Sequence, residues 1–177
     1  MHESPFTIRR LTEVSSAQID QLAALLIDCV EGGASVSFML PLTRERAAAF
    51  WQRMADGVAR GERALLVAED DTGCIAGSVQ LVLDQPENQP HRADVSKMLV
   101  RRRARRQGLG AALMRAAEEA AREHGKTLLV LDTATGGDAE RLYARLGWQR
   151  VGSIPGYALG PQGGRCATTY FYREVPA

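Results

Sequence analysis

Apolar and polar positions along the chain follow two rhythms, and each rhythm marks an element. Phe6-Thr7-Ile8-Arg9-Arg10-Leu11 begins with period two, as a short strand does. Ile19, Leu22, Leu26 and Val30 then recur at helical spacing, which predicts a helix from Ser15 or Ser16, either a suitable N-cap, to Val30. Gly32-Gly33-Ala34-Ser35 ends it. A second helix follows Thr43, carries Ala47, Phe50, Trp51, Met54 and Val58, and stops at Gly61. Ala64–Ala68 is an apolar strand, Asp70-Asp71-Thr72-Gly73 a turn, and Cys74–Leu83 the returning strand of a hairpin. Gln85–His91, with two prolines, is a loop, and Ala93–Val100 is the next strand.

A charged connection, Arg101–Gln107, leads into an alanine-rich helix from Gly108 to about His124. Its expected buried stripe is Leu109, Leu113, Ala116, Ala117 and Ala120. Thr127–Leu131 is continuously apolar, which fits a strand covered on both faces. Asp138 is the expected cap of a short helix through Leu146. Trp148–Ile154 and Ala167–Arg173 read as two last strands joined by a Gly- and Pro-rich stretch, Pro155–Gly164. The order β-α-α-β-β-β-α-β-α-β-β predicts an α/β or α+β layer, helices packed on a mixed sheet. No repeat or linker divides it, so residues 1–177 read as one domain.

Composition narrows the class. Of 177 residues, 45% are hydrophobic and 24% charged, which is globular rather than disordered. A formal net charge of +1 argues against a protein built around nucleic acid, so any basic function must come from clustering. Cys29, Cys74 and Cys166 form neither a CxxC pair nor a metal-ligand spacing; their odd number suits a reducing compartment. No signal peptide is visible at the start, and the longest apolar run, Leu22–Ile27, is too short to span a bilayer. The expectation is a cytoplasmic protein without a metal, a membrane or a nucleic-acid partner.

The strongest chemical signal is the strand–turn–helix unit around Arg101–Gly110. A helix start offers unpaired backbone N–H groups and the positive end of the dipole. Gly108 and Gly110 remove side chains where an anion must approach that backbone. Five arginines, at 101, 102, 103, 105 and 106, surround the turn, and a pyrophosphate fits it. A Walker A loop is excluded, because no Gly-Lys-Ser/Thr exists. A Rossmann fingerprint fails because Leu113 stands where a third glycine or alanine belongs. The alternatives are an ordinary charged helix entry and a nucleic-acid patch, the latter lacking interleaved aromatics.

Arg105-Arg106-Gln107-Gly108-Leu109-Gly110 resembles the R/Q-x-x-G-x-G/A turn of the GNAT acetyltransferases, and Leu142-Tyr143-Ala144-Arg145-Leu146-Gly147-Trp148 resembles that family's LYxxLGF element. The resemblance implies a mixed, mostly antiparallel seven-stranded sheet with helices on both faces and strands four and five splayed. It implies acetyl-CoA as co-substrate, with the pyrophosphate on Arg105, Arg106, Gln107, Gly108, Leu109 and Gly110 and the pantetheine along Met98, Leu99 and Val100. It makes Tyr143 the proton donor to the leaving thiolate. Asp94 and Asp132, on those two strands, become candidates to take or orient the amine proton. Ser35 (with Ser37) and Tyr157 stand in loops where acceptor contacts are expected.

Within the superfamily, Gly32-Gly33-Ala34-Ser35-Val36, Asp94–Val100, Leu131-Asp132-Thr133 and Pro155-Gly156-Tyr157 look most like tabtoxin-resistance-type enzymes. That implies a small amino-acid-like or peptide-like amine acceptor, and a homodimer is possible. The rivals are acetylation of a protein N-terminus or lysine, and a degenerate domain that binds CoA without transfer.

Overall fold

The first two helices of this chain start at short polar side chains. The computed structural model describes residues 5–177, so His2 and the first four positions lie outside it. The elements are β1 (Thr7–Leu11), α1 (Ser16–Glu31), α2 (Arg44–Ala59), β2 (Arg63–Glu69), β3 (Ile75–Val82), β4 (Arg92–Val100), a 3₁₀ turn (Arg102–Ala104), α3 (Leu109–Glu123), β5 (Leu128–Ala134), α4 (Asp138–Arg145), β6 (Gln149–Leu159) and β7 (Arg165–Glu174). Ser15 caps α1 in a reciprocal capping box with Gln18, and the Thr43 hydroxyl accepts from Arg46 N–H to cap α2.

The strands form one seven-stranded sheet in the order β1-β2-β3-β4-β5-β7-β6. Every neighbouring pair is antiparallel except β4 and β5. One apolar layer lies between the sheet and α3, with Leu109, Leu113, Met114, Leu129, Leu131 and Phe171 at its centre. The other lies under α1 and α2, where Leu22, Leu25, Leu26 and Trp51 are fully buried against Leu65, Val67 and Ile75. Burying a side chain of that size stabilises the fold by about 1.5–3 kcal/mol. Helices therefore cover both faces, as the resemblance implied.

The β4–β5 pairing is short. It joins Arg92–Asp94 to Leu128–Val130 and stops. Beyond Asp94 the strands part, while β5 stays paired to β7 as far as Ala134 with Thr168. Strand β5 is thus longer than the apolar run Thr127–Leu131 suggested. Its far end is held by β7, and Asp132 sits inside the strand instead of closing it.

Other expectations need correction. The stretch Pro155–Gly164 is mostly strand: β6 runs through Pro155 to Leu159, with an irregularity between Ile154 and Ala158, and only Gly160–Gly164 turns. Proline is tolerated because β6 is an edge strand, where a missing N–H need not break the ladder. The N-cap of α4 is Gly137, not Asp138. Asp138 pairs with Arg141, Glu140 accepts from Gly136 N–H, and the acidic first turn complements the helix dipole. On α3 the buried face also includes Met114, Glu118 and Ala121, with Ala116 partly buried.

Candidate active site

The parting of β4 from β5 opens a cleft of 1090 Å³, lined by both strands, the α1–α2 loop, the start of α3 and the inner side of α4. Beside it lies a second cavity of 350 Å³, lined by Ser35, Ser37, Phe38 and Met39 of the α1–α2 loop, by Tyr157–Leu159 and by Cys166–Thr168. The two share Ser35, Ser37, Asp132, Thr133 and Ala134. A main-chain hydrogen bond from Leu40 N–H to Pro161 C=O (2.9 Å) ties that loop to the β6–β7 turn above the smaller cavity.

At one end of the cleft is the start of α3. Its first intrahelical bond runs from Ala112 N–H to Gly108 C=O, at 3.1 Å, which leaves the Leu109, Gly110 and Ala111 amides for an anion. Gly108 has φ 77°, the left-handed region that favours glycine, and a Cβ on Gly110 would stand 2.9 Å from Leu142 Cδ2, so a side chain there would have to displace the end of Leu142. Arg105, Arg106, Gly108, Leu109 and Gly110 line the cleft, while Gln107 does not; its amide donates to the Arg103 carbonyl. This glycine-lined amide cradle beside two arginines fits a pyrophosphate, the group that coenzyme A would present there.

The other three arginines are not part of that cradle. Arg101 donates to the Ile75 and Gln21 carbonyls, Arg102 clamps Asp28, and Arg103 reaches Asp70. They stitch the 3₁₀ turn to α1 and to the β2–β3 hairpin. Burial works against a charged Asp28, but the Arg102 backbone N–H and guanidinium prevail and hold its carboxyl below the usual range.

Along the cleft wall, β4 has no β5 partner past Asp94, and Met98, Leu99 and Val100 line it. The Val100 carbonyl accepts from Arg105 Nε (3.2 Å) and from the Cys29 thiol (3.4 Å). Tyr143 projects from α4 and packs against Trp148 and Phe171. It is 5% exposed and lines the cleft. Burial, and then the Asp132 charge, push its hydroxyl well above the ordinary tyrosine value, so it stays protonated.

The two candidate acids share a face of the sheet but not an environment. Asp94 pairs with Val130, and Asp132 lies two residues further along β5, so both side chains leave on one side. Asp132 lines both cavities and accepts from the Thr168 hydroxyl at 2.7 Å. Asp94 lines neither; Arg92 and Gln85 Nε2 hold its carboxylate. Tyr157 lines the smaller cavity and shares a 3.0 Å hydrogen bond with Tyr170, whose phenol is raised by that contact first and by burial and the Asp132 charge after it. Ser35 lies 3.5 Å from the Leu159 carbonyl and 3.7 Å from Cys166 Sγ. Thr168, Tyr170 and Lys97 were missed in the sequence. Thr168 and Tyr170 come from β7, whose position beside β5 has no local signal.

A model of the acetyltransferase (GNAT) family matches residues 29–148. The chain belongs to the GNAT acetyltransferase family. It is 33% identical over 128 residues to an uncharacterised N-acetyltransferase of the hisH–hisA intergenic region of Azospirillum brasilense, covering 71% of this chain and 74% of that one. This GNAT fold is also seen in an N-acetyltransferase from Staphylococcus aureus Mu50 (TM-score 0.79, 16% identity, 97% and 99% of the two chains). The yncA protein of Salmonella typhimurium, solved with its cofactor acetyl-CoA, has it too (TM-score 0.78, 18% identity, 97% and 95%). Among the described residues of this GNAT chain, no group of three or more His, Cys, Asp or Glu could hold a metal, and no helix is long and apolar enough to cross a membrane.

Proposed function

We propose that this GNAT chain transfers the acetyl group of acetyl-CoA to the primary amine of a small amino-acid-like or peptide-like molecule, in the manner its tabtoxin-resistance-like stretches suggest. The observation that carries the reading is the meeting of the two cavities at Asp132, in the gap between β4 and β5. The larger cleft would take the donor, with pyrophosphate on the Leu109–Ala111 amides, Arg105 and Arg106. The smaller has room for a small molecule. All three cysteines are free thiols, which suits a cytoplasmic setting.

Acetyl-CoA, when bound, supplies a thioester carbonyl. Asp132, oriented by Thr168, is placed to hold the incoming ammonium and receive its proton directly or through water. Unpaired backbone N–H of β4 beyond Asp94 can steady the charge that grows on the carbonyl oxygen. As the N–C bond forms and the C–S bond breaks, Tyr143 donates its proton to sulfur, and the second proton shed by the new amide nitrogen returns to the Tyr143 oxygen through water. Asp94, gripped by Arg92 and Gln85, acts at most by shaping this strand.

The test is acetyl-CoA turnover against amino acids, dipeptides, polyamines, aminoglycosides and a lysine-bearing peptide, with the acetylated product weighed by mass spectrometry. Amine-dependent thiol release with a small amino-acid-like acceptor is expected. Preference for the protein-like peptide would move the acceptor to the rival class, and binding without turnover would make the domain non-catalytic.

A further inference from the structure

Among the described residues, three that are not glycine adopt positive φ: Ser37 (79°), Lys97 (50°) and Arg106 (62°). All three line the larger cleft. Such backbone is disfavoured for a residue with a Cβ and survives only where the surroundings impose it. Arg106 belongs to the anion cradle. Ser37 and Lys97 meet at the wall of the larger cleft, with Lys97 Nζ 3.4 Å from Ser37 Oγ.

The strain at Lys97 has a visible cause. Strand β4 carries an extra residue against β3: Ser96 pairs with Gln80 and Leu99 with Ser78, so two residues face one. The Ser78 hydroxyl donates to the Lys97 carbonyl at 3.1 Å and pins the bulge. The bulge turns Lys97 so that its ammonium sits 5.6 Å above the Phe50 ring. No carboxylate of the described residues lies within ion-pair distance of it. Burial, and then the nearby Arg63 guanidinium, push its amine below the ordinary lysine value, while Asp132 pulls the other way. Arg63 likewise has no carboxylate at ion-pair distance among the described residues and donates only to Gln80. The gap between the strands thus has an acid on β5 and an unpaired cation on β4, close enough to sense each other and too far apart to pair.

We infer that Lys97, positioned by Ser37, Ser78 and Phe50, is a specificity-determining residue that binds an anionic group of the acceptor. The amine to be acetylated lies toward Asp132 and the anion toward Lys97, so the site favours molecules that carry both a few bonds apart. A carboxylate is the simplest such group. The inference rests on the transferase reading and assigns a residue that neither family motif contains.

The experiment uses the best carboxylate-bearing acceptor from the amine panel and its carboxamide. kcat/KM is measured for both in wild type, Lys97→Met and Lys97→Arg, with acetyl-CoA affinity by calorimetry as the check on folding. The amide is the weaker base, so the readout is the change in the acid-to-amide ratio between proteins. Loss of a hydrogen-bonded charge predicts that Lys97→Met lowers that ratio about tenfold or more, mainly through KM for the acid. Lys97→Arg should keep most of the ratio. A merely structural lysine would lower both substrates together and leave the ratio unmoved, and that result overturns the anchor. If Lys97→Met loses acetyl-CoA affinity, the arginine variant decides, and a ratio lost there too overturns the inference. A panel in which anion-free amines are best also overturns it. Absence of turnover with every amine removes the transferase reading itself, and the anchor with it.

Discussion

Tyr143 and Asp132 show how residue-level chemistry depends on surroundings. Both are predicted from motif and strand pattern, and both line the cleft, but Asp94, picked out by the same reasoning, lines neither cavity. The period-two rule put the two acids on one face. It could not say that Arg92 and Gln85 would take one of them. Lys97 went unassigned because its meaning lies in a bulge and in Ser37 and Phe50, all set by tertiary packing. For Tyr143, Phe keeps the ring contacts with Trp148 and Phe171 and removes only the proton. Tyr143→Phe should lower kcat roughly 10²-fold or more, with melting temperature and acetyl-CoA affinity near wild type. Single-turnover rates measure this even if product release limits kcat. An unchanged chemical step would return Tyr143 to a packing role.

Helix and strand existence was legible wherever the hydrophobic period was long, as in α1, α2 and α3. Failures came at ends set by partners. Strand β6 resumes beyond Pro155 because β7 pairs with it on both sides of the Ile154–Ala158 irregularity, and β5 continues past Leu131 because β7 pairs with it as far as Ala134. The charged connection before α3 reads as a loose basic turn, yet Arg102 fastens it to α1 by donating its backbone N–H (2.9 Å) and Nε (3.0 Å) to Asp28. That clamp sets where the anion cradle begins. Asp28→Asn should destabilise the protein by about 1 kcal/mol at neutral pH, because the hydrogen bonds go to a charged group but the pair is open to solvent. The sign with pH follows from the lowered folded value. The contribution is full above the unfolded carboxylate value, about 3.9, and is lost as pH falls through the lower folded one. Thermal melts from pH 7 to pH 2.5 should therefore show the gap between wild type and variant closing only at the acid end. A gap that does not change with pH would mean that the Asp28 charge is irrelevant.

At the scale of the molecule, the element order was legible and the sheet order was not. Nothing local announces that β7 inserts between β5 and β6, yet this insertion holds β5 in place while β4 leaves it, and so makes the gap. It also delivers Thr168 to Asp132 and closes the smaller cavity with the end of the β6–β7 hairpin. In the proposed reaction this gap brings an amine, under the control of Asp132, to an acetyl donor lying against α3. The most direct measurement is amine-dependent thiol release from acetyl-CoA by wild type and Asp132→Asn, from pH 6 to pH 9, on the preferred acceptor. Release should require the amine, and kcat/KM should fall on the order of 10²–10⁴ in the variant. The deficit should shrink as pH rises and more of the amine arrives already neutral. Release that ignores the amine, or equal rates for the two proteins across that range, would contradict that reaction.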